Sequence, residues 1–226
     1  MLESKIPLSR LLAVLLGFPM VSTLLSLLLL HRSWITSFGL DFFPVFWLLI
    51  SLWYVIQIGL IRALLKASGW TWEQIGVPRR KYGLMAGYLL FAVICLLLIE
   101  YLLRQSPPDP AQWKGLSSLT PRTTWARVIF IGMGLVAGIS EEVVYRGFAI
   151  RALESNGVNR WWAVVMAAVP FVFQHGLKSI DQFGWFLSWG LVFGGLFIWL
   201  RQLTVPLILH WLVILSAMLA VLKTLP

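Results

Sequence analysis

Three charged side chains lie within six residues of an otherwise apolar stretch: Glu141, Glu142 and Arg146. Two later apolar stretches each contain one histidine, His175 and His210. A charged side chain at bilayer depth costs at least ~2.5–3.5 kcal/mol on insertion scales, so such residues usually mark a functional site. Carboxylates and imidazoles carried by three membrane helices could act on water as acid–base groups or as metal ligands.

An α-helical wheel predicts different roles for the two glutamates. Glu142 and Arg146 are four residues apart and lie one turn apart on the same face, where they can form an ion pair. Glu141 lies about 100° away from Glu142 round the helix and is the freer group. The aliphatic side chains at 143 and 144 are expected on the opposite side, facing lipid or packed neighbours.

Other residues near these side chains predict close helix packing. Phe171 and His175 are four residues apart, so both are expected on the same side of their helix. Glycines at four-residue steps allow neighbouring backbones to approach closely. They are Gly134 and Gly138 in one predicted span, and Gly190 and Gly194 in another.

The composition is that of an integral membrane protein. Of 226 residues, 59% are hydrophobic and only 12% are charged. Apolar stretches occur near 8–30, 42–65, 83–103, 125–150, 161–177, 183–200 and 203–224. Helices of about 20 residues cross ~30 Å of hydrocarbon. The sequence therefore predicts an all-α, polytopic transmembrane bundle of about seven spans; an eighth span or a re-entrant segment is the alternative.

A proline-containing loop over 105–124 divides this one membrane domain into two parts. It contains Pro107, Pro108, Pro110 and Pro121. The N-terminal part, 1–124, holds three predicted spans and the loop. The C-terminal part, 125–226, holds every candidate site residue. The halves show no internal repeat, which disfavours an inverted-repeat transporter.

The formal net charge of +9 is explained by membrane topology. Loops on the cytoplasmic side of membrane proteins are enriched in Lys and Arg. The cluster at 79–81 therefore predicts that the loop after the second span and the N-terminus are cytoplasmic. No basic run lies on a soluble helix or strand, so no nucleic-acid partner is expected.

The order of these motifs resembles one known protease family. E-E-x-x-x-R at 141–146, F-x-x-x-H at 171–175, a glycine-stepped helix and a final His210 resemble the CPBP family. This family comprises type II CAAX endopeptidases, Abi proteins and bacteriocin-processing intramembrane proteases. The resemblance covers about 125–215. It implies a membrane-embedded endopeptidase, in a bacterial plasma membrane, that cleaves a membrane-associated protein or a C-terminal tail.

The resemblance also implies roles for the individual residues. Glu141 would activate the attacking water, and Glu142 with Arg146 would form the structural pair. His175 and His210 would hold the water, a metal ion or the developing oxyanion. Two histidines and a carboxylate also match a catalytic zinc set, so the sequence leaves open no cofactor or a single zinc ion on Glu141, His175 and His210.

One position departs from the family pattern. The last motif usually continues H-x-x-x-N or H-x-x-x-D, whereas Ile214 occupies that position here. An oxyanion donor is therefore missing from its usual place. This departure favours the alternative of a non-catalytic immunity or scaffold protein of the same fold. A transporter with a proton-relay glutamate is a third hypothesis, which would require broken helices in two matching halves.

Overall fold

The computed structural model describes residues 5–78, 82–106 and 121–224, in which helices dominate and no strand occurs. The first part comprises α1 (Leu8–Ser26), a 3₁₀ turn (Leu27–Leu29), α2 (Arg32–Ser37), α3 (Phe42–Ala67) and α4 (Tyr82–Gln105). The second part begins with α5 (Thr124–Glu141), a π-helical segment (Glu142–Ile150) and α6 (Arg151–Ser155). It continues with α7 (Arg160–Phe173), α8 (Lys178–Asp181), α9 (Phe183–Leu200) and α10 (Thr204–Thr224). The predicted all-helical class is confirmed.

Polar side chains define the starts of the site-bearing helices. The carboxylate of Asp41 accepts a hydrogen bond from the backbone N–H of Phe43 at the start of α3. Thr123 caps α5 and Asn159 caps α7 in the same way. Such caps satisfy N–H groups that have no partner within the helix.

Within the described residues, five helices are long and apolar enough to cross a membrane. They are Leu8–Leu29, Phe42–Ala67, Ala86–Gln105, Thr124–Ser155 and Phe183–Leu200. Two further apolar helices, Arg160–Phe173 and Thr204–Ala220, lie at the predicted fifth and seventh spans but are shorter. The protein is thus an integral membrane helical bundle, and the count of seven spans stays a prediction.

The predicted fifth span ends earlier than its apolar sequence indicates. Helix α7 stops at Phe173 and the chain turns through 174–177 before α8 begins. Gly176 adopts a φ of +61°, which favours glycine, and a Cβ there would collide with Ser26. His175 therefore lies in a turn at the end of α7.

The two parts of the chain pack directly against each other. Helix α3 packs along α5, and α10 packs against both α4 and α5. Residues 107–120 of the predicted dividing loop, and the basic cluster at 79–81, lie outside the described residues.

The π-helical segment forms the centre of the molecule. Every side chain from Glu142 to Ile150 is buried. Val143 and Val144, which the wheel placed towards lipid or packed neighbours, are 7% and 0% exposed and belong to the main core. The segment is surrounded by α1, α3, α7 and α9.

Candidate active site

The two glutamates lie at a change of helical geometry. Regular α-helix ends at Glu141, and the wider π-helix begins at Glu142. Both glutamates are almost completely buried, at 2% and 1% exposure. Short π-helical insertions are frequently found at functional sites, where they redirect side chains.

Helix α10 approaches the glutamates because α5 presents two glycines to it. A Cβ on Gly138 would stand 2.6 Å from Cδ1 of Trp211, and one on Gly134 would meet Ile214 and Met218. The indole N–H of Trp211 donates to the carbonyl of Leu135 at 3.0 Å. This close contact places the neighbouring residue, His210, beside the carboxylates.

Glu142 contacts two cationic or polar partners at once. Its Oε1 lies 3.2 Å from Nη1 of Arg146 and 2.8 Å from Nδ1 of His210. The guanidinium contact has ion-pair distance without hydrogen-bond geometry, since Nη1 has no hydrogen-bond partner. We treat it as a buried ion pair, because Coulomb attraction does not require a linear N–H···O angle. The contact of Glu142 with Arg146 is the one expected from their spacing, and the contact with His210 is additional.

Arg146 is also held by its other neighbours. Its Nη2 donates to the carbonyl of Trp189 at 3.3 Å. The guanidinium carbon lies 4.0 Å from the ring centroid of Phe171 and 5.5 Å from that of Phe193. A desolvated guanidinium is stabilised by such aromatic faces. Phe171 therefore supports the charged cluster directly.

The structure brings Glu141, His175 and His210 together. Nε2 of His175 lies 3.8 Å from Glu141 Oε1, and Nε2 of His210 lies 3.4 Å from Glu141 Oε2. The hydroxyl of Tyr54, on α3, donates to Glu141 Oε1 at 2.6 Å. Side chains from three other segments of the chain thus converge on the carboxylate of Glu141.

Both imidazoles are held by their Nδ1 atoms. His210 contacts the carboxylate of Glu142, and His175 contacts the carbonyls of Phe171 at 3.0 Å and Val172 at 3.3 Å. Carboxylates and carbonyls only accept hydrogen bonds, so Nδ1 carries the proton in each ring. The Nε2 atoms, which face Glu141, are therefore the acceptors when the rings are neutral.

Aromatic packing fixes the plane of His175. Its ring stacks on Phe186 with centroids 3.6 Å apart and planes 14° apart. Burial lowers the pKa of His175, while the charge of Glu141 acts in the opposite direction. His175 is therefore neutral, and able to accept a hydrogen bond at Nε2, over more of the physiological pH range than a solvent-exposed histidine.

Sequence reasoning missed three polar side chains at this site. Tyr54 comes from the part of the chain that was expected to hold no site residue. The hydroxyl of Tyr145 donates to Oε1 of Gln174 at 2.8 Å. In the sequence, the features that point to them are Tyr54 inside an apolar span and the amide of Gln174 directly before His175. Neither spacing nor hydropathy indicates that Tyr54 contacts the distant Glu141 or that Tyr145 and Gln174 form a hydrogen bond.

A cavity of about 620 Å³ opens onto these groups. Its wall includes Glu141, Gln174, His175 and His210, together with many aromatic and aliphatic side chains. The glycine steps of α9 let this helix pack closely on α7: a Cβ on Gly190 would meet Ala168 and Phe171, and one on Gly194 would meet Val164. The lining of the cavity is mainly apolar and includes a small number of polar side chains.

Lys178 lines the same cavity. Burial lowers the pKa of its ammonium group. Among the residues that the structure describes, none forms an ion pair with it.

The donor groups of Glu141, His175 and His210 suit zinc by type. Over the described ranges, no three His, Cys, Asp or Glu side chains are placed to hold a metal ion. One oxygen of Glu141 is already engaged by Tyr54. Zinc requires three protein ligands that converge at about 2.0–2.2 Å in catalytic sites. The reaction proposed below uses the protein's own side chains.

Comparison with known families agrees with this geometry. Residues 123–215 match the family model described as type II CAAX prenyl endopeptidase Rce1-like. This region of the chain is similar to the Rce1-like family. The match confirms the resemblance read from the motifs, and the matched family is one of CAAX-type proteases. The matched region contains both glutamates and both histidines, whereas Tyr54 lies outside it. No curated protein and no solved structure gives a significant match to the chain.

Proposed function

We propose that the protein is an intramembrane endopeptidase in which Glu141 activates a water molecule for attack on a peptide bond. One observation carries this proposal: the buried carboxylate of Glu141 lies 3.8 Å from Nε2 of His175 and 3.4 Å from Nε2 of His210, and all three residues line a cavity. The Rce1-like match supports a protease, and the finer roles rest on this geometry.

The carboxylate of Glu141 and the Nε2 atoms of His175 and His210 are all hydrogen-bond acceptors, so a hydrogen-bond donor is favoured between them. With Nδ1 protonated, both neutral imidazoles present lone pairs to an ionised carboxylate. A water molecule can donate one hydrogen to Glu141 and the other to an imidazole Nε2. This arrangement would hold the water and direct its lone pair towards a carbonyl carbon in the cavity.

The proposed reaction balances without a cofactor. Glu141 takes a proton from water as the oxygen bonds to the carbonyl carbon, and the carbonyl electrons move onto its oxygen. Collapse of this tetrahedral intermediate re-forms the C=O bond and breaks the C–N bond. Glu141 returns the proton to the departing nitrogen, so one water and one peptide bond yield an acid and an amine.

Glu142 and Arg146 act as positioning residues in this scheme. Glu142 accepts from Nδ1 of His210 and thereby fixes the tautomer that presents Nε2 to Glu141. Arg146 compensates the buried charge of Glu142.

The shape of the cavity supports an apolar substrate segment. Most of the residues that line the cavity are apolar, and many of them are aromatic. We therefore infer a peptide or lipid-bearing tail of a membrane-associated protein, which enters from the bilayer. A bacterial plasma membrane and a cytoplasmic N-terminus are part of the proposal; they rest on the motif resemblance and on the basic cluster at 79–81.

Mapping of protein termini in cells tests this function. Membrane and secreted proteins are compared by mass spectrometry after gene deletion and after complementation with wild type, Glu141→Gln or Glu100→Gln. The proposal predicts that gene deletion removes the termini produced by cleavage. Wild type and Glu100→Gln should restore these termini, whereas Glu141→Gln should not. Termini restored by Glu141→Gln would contradict the assignment of the base.

Treatment with a chelator distinguishes a metal-free, glutamate-dependent protease from a zinc-dependent one. Because the proposed scheme uses no metal ion, we expect 1,10-phenanthroline to leave turnover of the purified protein unchanged. Loss of turnover that zinc restores would instead support a metal held by Glu141, His175 and His210.

The alternative is a non-catalytic immunity or scaffold protein of the same fold. Ile214, in place of the family's amide or acid, is the observation that favours it. Such a protein would protect cells equally well with Glu141→Gln. Loss of protection in that variant, at wild-type abundance, would exclude it.

A further inference from the structure

Gln174 is buried beside the candidate site with one end of its amide unused. The residue is 3% exposed. Its Oε1 accepts from the hydroxyl of Tyr145 at 2.8 Å, whereas its Nε2 is buried and, among the described residues, has no hydrogen-bond partner. A buried N–H without an acceptor costs stability, and native proteins contain few of them. The N–H groups of Gln174 are therefore available to a group that binds beside them.

The position of Gln174 indicates where that group would lie. Gln174 lines the same cavity as Glu141, His175 and His210. It directly precedes His175, whose Nε2 faces Glu141. Tyr54, which donates to Glu141, lies close enough to Gln174 for the two side chains to interact, although no hydrogen bond of good geometry joins them.

The bond from Tyr145 orients the amide. Because Oε1 is occupied by the Tyr145 hydroxyl, Nε2 is the end that remains for a ligand in the cavity. Tyr145 lies in the buried π-helical segment and packs edge-on against Phe171, with centroids 5.7 Å apart. The donor is thus held in place before any substrate binds, as electrostatic stabilisation of a transition state requires.

The residue expected to supply such a donor is absent from α10. Ile214 lines the cavity with an aliphatic side chain that can donate no hydrogen bond. A tetrahedral intermediate nevertheless carries a negative charge on the former carbonyl oxygen, and that charge needs a donor. Gln174, directly after the C-terminal end of α7, provides an amide N–H instead.

We propose that Gln174 Nε2 binds the carbonyl oxygen of the scissile peptide and the oxyanion that forms from it. This inference rests on the proposed function. As water adds to the carbonyl carbon, the electron pair moves to the oxygen and the hydrogen bond from Gln174 strengthens. When the C–N bond breaks, the pair returns to the C=O bond and Gln174 keeps its protons throughout.

Gln57 provides a matched control. It is also fully buried, its Oε1 also accepts from a hydroxyl, that of Ser140 at 2.9 Å, and its Nε2 also lacks a hydrogen-bond partner among the described residues. Unlike Gln174, it does not line the cavity. A general effect of removing a buried amide would appear in both variants, whereas loss of oxyanion binding would appear only at Gln174.

The first measurement is kinetic and uses a substrate found by terminus mapping. Gln174→Leu should lower kcat by about 10²–10³, the usual effect of removing one oxyanion donor, and leave KM within about threefold. Gln174→Glu should lose more, because a carboxylate repels the oxyanion. Gln57→Leu should keep wild-type kcat. A higher KM at unchanged kcat for Gln174→Leu, or an equal loss at Gln57, would overturn the proposal.

The second measurement does not depend on turnover. The full chain in nanodiscs is titrated with an acylated tetraleucine peptide and with its phosphinate analogue, a tetrahedral anion. Wild type should bind the phosphinate more tightly, and Gln174→Leu should reduce that preference at least tenfold while Gln57→Leu preserves it. Absence of a preference in wild type, or equal weakening of both probes, would contradict the inference. A preference that depends on Gln174 in a protein that cleaves nothing would sustain the inference and refute the proposed function.

Discussion

Two Glu–Arg pairs with the same four-residue spacing occur in this chain. Glu100–Arg104, near the end of α4, has N···O 2.9 Å and side chains that are 33% and 70% exposed. Glu142–Arg146 has N···O 3.2 Å and side chains that are 1% and 2% exposed. The shorter contact lies in the more exposed pair, so distance alone does not distinguish a structural pair from a peripheral one.

Burial gives the second pair its importance. Two charges removed from solvent lose their hydration, and the pair is tolerated only if other contacts replace it. Glu142 has His210 as a second partner, and Arg146 has the carbonyl of Trp189 and two aromatic rings. The comparison teaches that an E-x-x-x-R spacing indicates geometry, whereas the surrounding helices determine what the pair can do.

The largest effect on stability is expected for Arg146→Ala. This change leaves the buried carboxylate of Glu142 without its cation, and breaking a buried pair costs about 3–5 kcal/mol. The free energy of unfolding, measured by SDS titration in mild detergent, should fall by that amount and the folded yield should drop. An unchanged unfolding curve would mean that Glu142 is compensated by another group, and our distinction between the two pairs would fail.

A smaller effect is expected for Tyr54→Phe. The change removes a hydrogen bond to a buried carboxylate, and bonds to charged groups contribute about 1.5–3 kcal/mol. The same SDS titration measures the loss. Tyr88→Phe on α4 is the control, because no hydrogen bond to Glu141 involves it, and it should unfold like wild type. Equal stability of Tyr54→Phe and wild type would indicate that α3 does not contribute to the site.

Gly138→Ala tests whether α10 must approach closely to bury the second pair. The added Cβ would stand 2.6 Å from Trp211 on α10, and overpacking of this kind costs about 1–3 kcal/mol. Gly132→Ala, on the same helix, meets no atom within 4 Å and should be neutral or slightly stabilising, since alanine favours helix. Similar unfolding midpoints for the two variants would contradict the packing that we describe.

The smallest effect is expected for Arg104→Ala. Exposed pairs at this spacing contribute about 0.3–0.5 kcal/mol, so the unfolding midpoint should scarcely move. A loss as large as that of Arg146→Ala would show that burial is not the difference between the pairs. Such a result would contradict our conclusion that the Glu142–Arg146 pair stabilises the protein more than the Glu100–Arg104 pair does.

The sequence predicted those parts of the structure that depend on local spacing. The helical class, the proximity of Glu142 to Arg146 and the shared direction of Phe171 and His175 follow from hydropathy and from four-residue steps. It did not predict contacts that depend on tertiary packing, such as His210 with Glu142 across 68 positions or Tyr54 with Glu141 across 87. The early end of α7 and the π-helix also escaped prediction, because hydropathy does not show where a backbone turns.

The most direct test of the central claim compares two glutamates in one assay. The purified full chain in proteoliposomes is given its mapped substrate, and kcat is measured for wild type, Glu141→Gln and Glu100→Gln. Loss of a positioned base costs at least about 10²–10⁴ in rate, so Glu141→Gln should lose most turnover while its unfolding curve stays close to wild type. Glu100→Gln, outside the cavity, should remain as active as wild type. Full turnover by a folded Glu141→Gln protein would contradict the account.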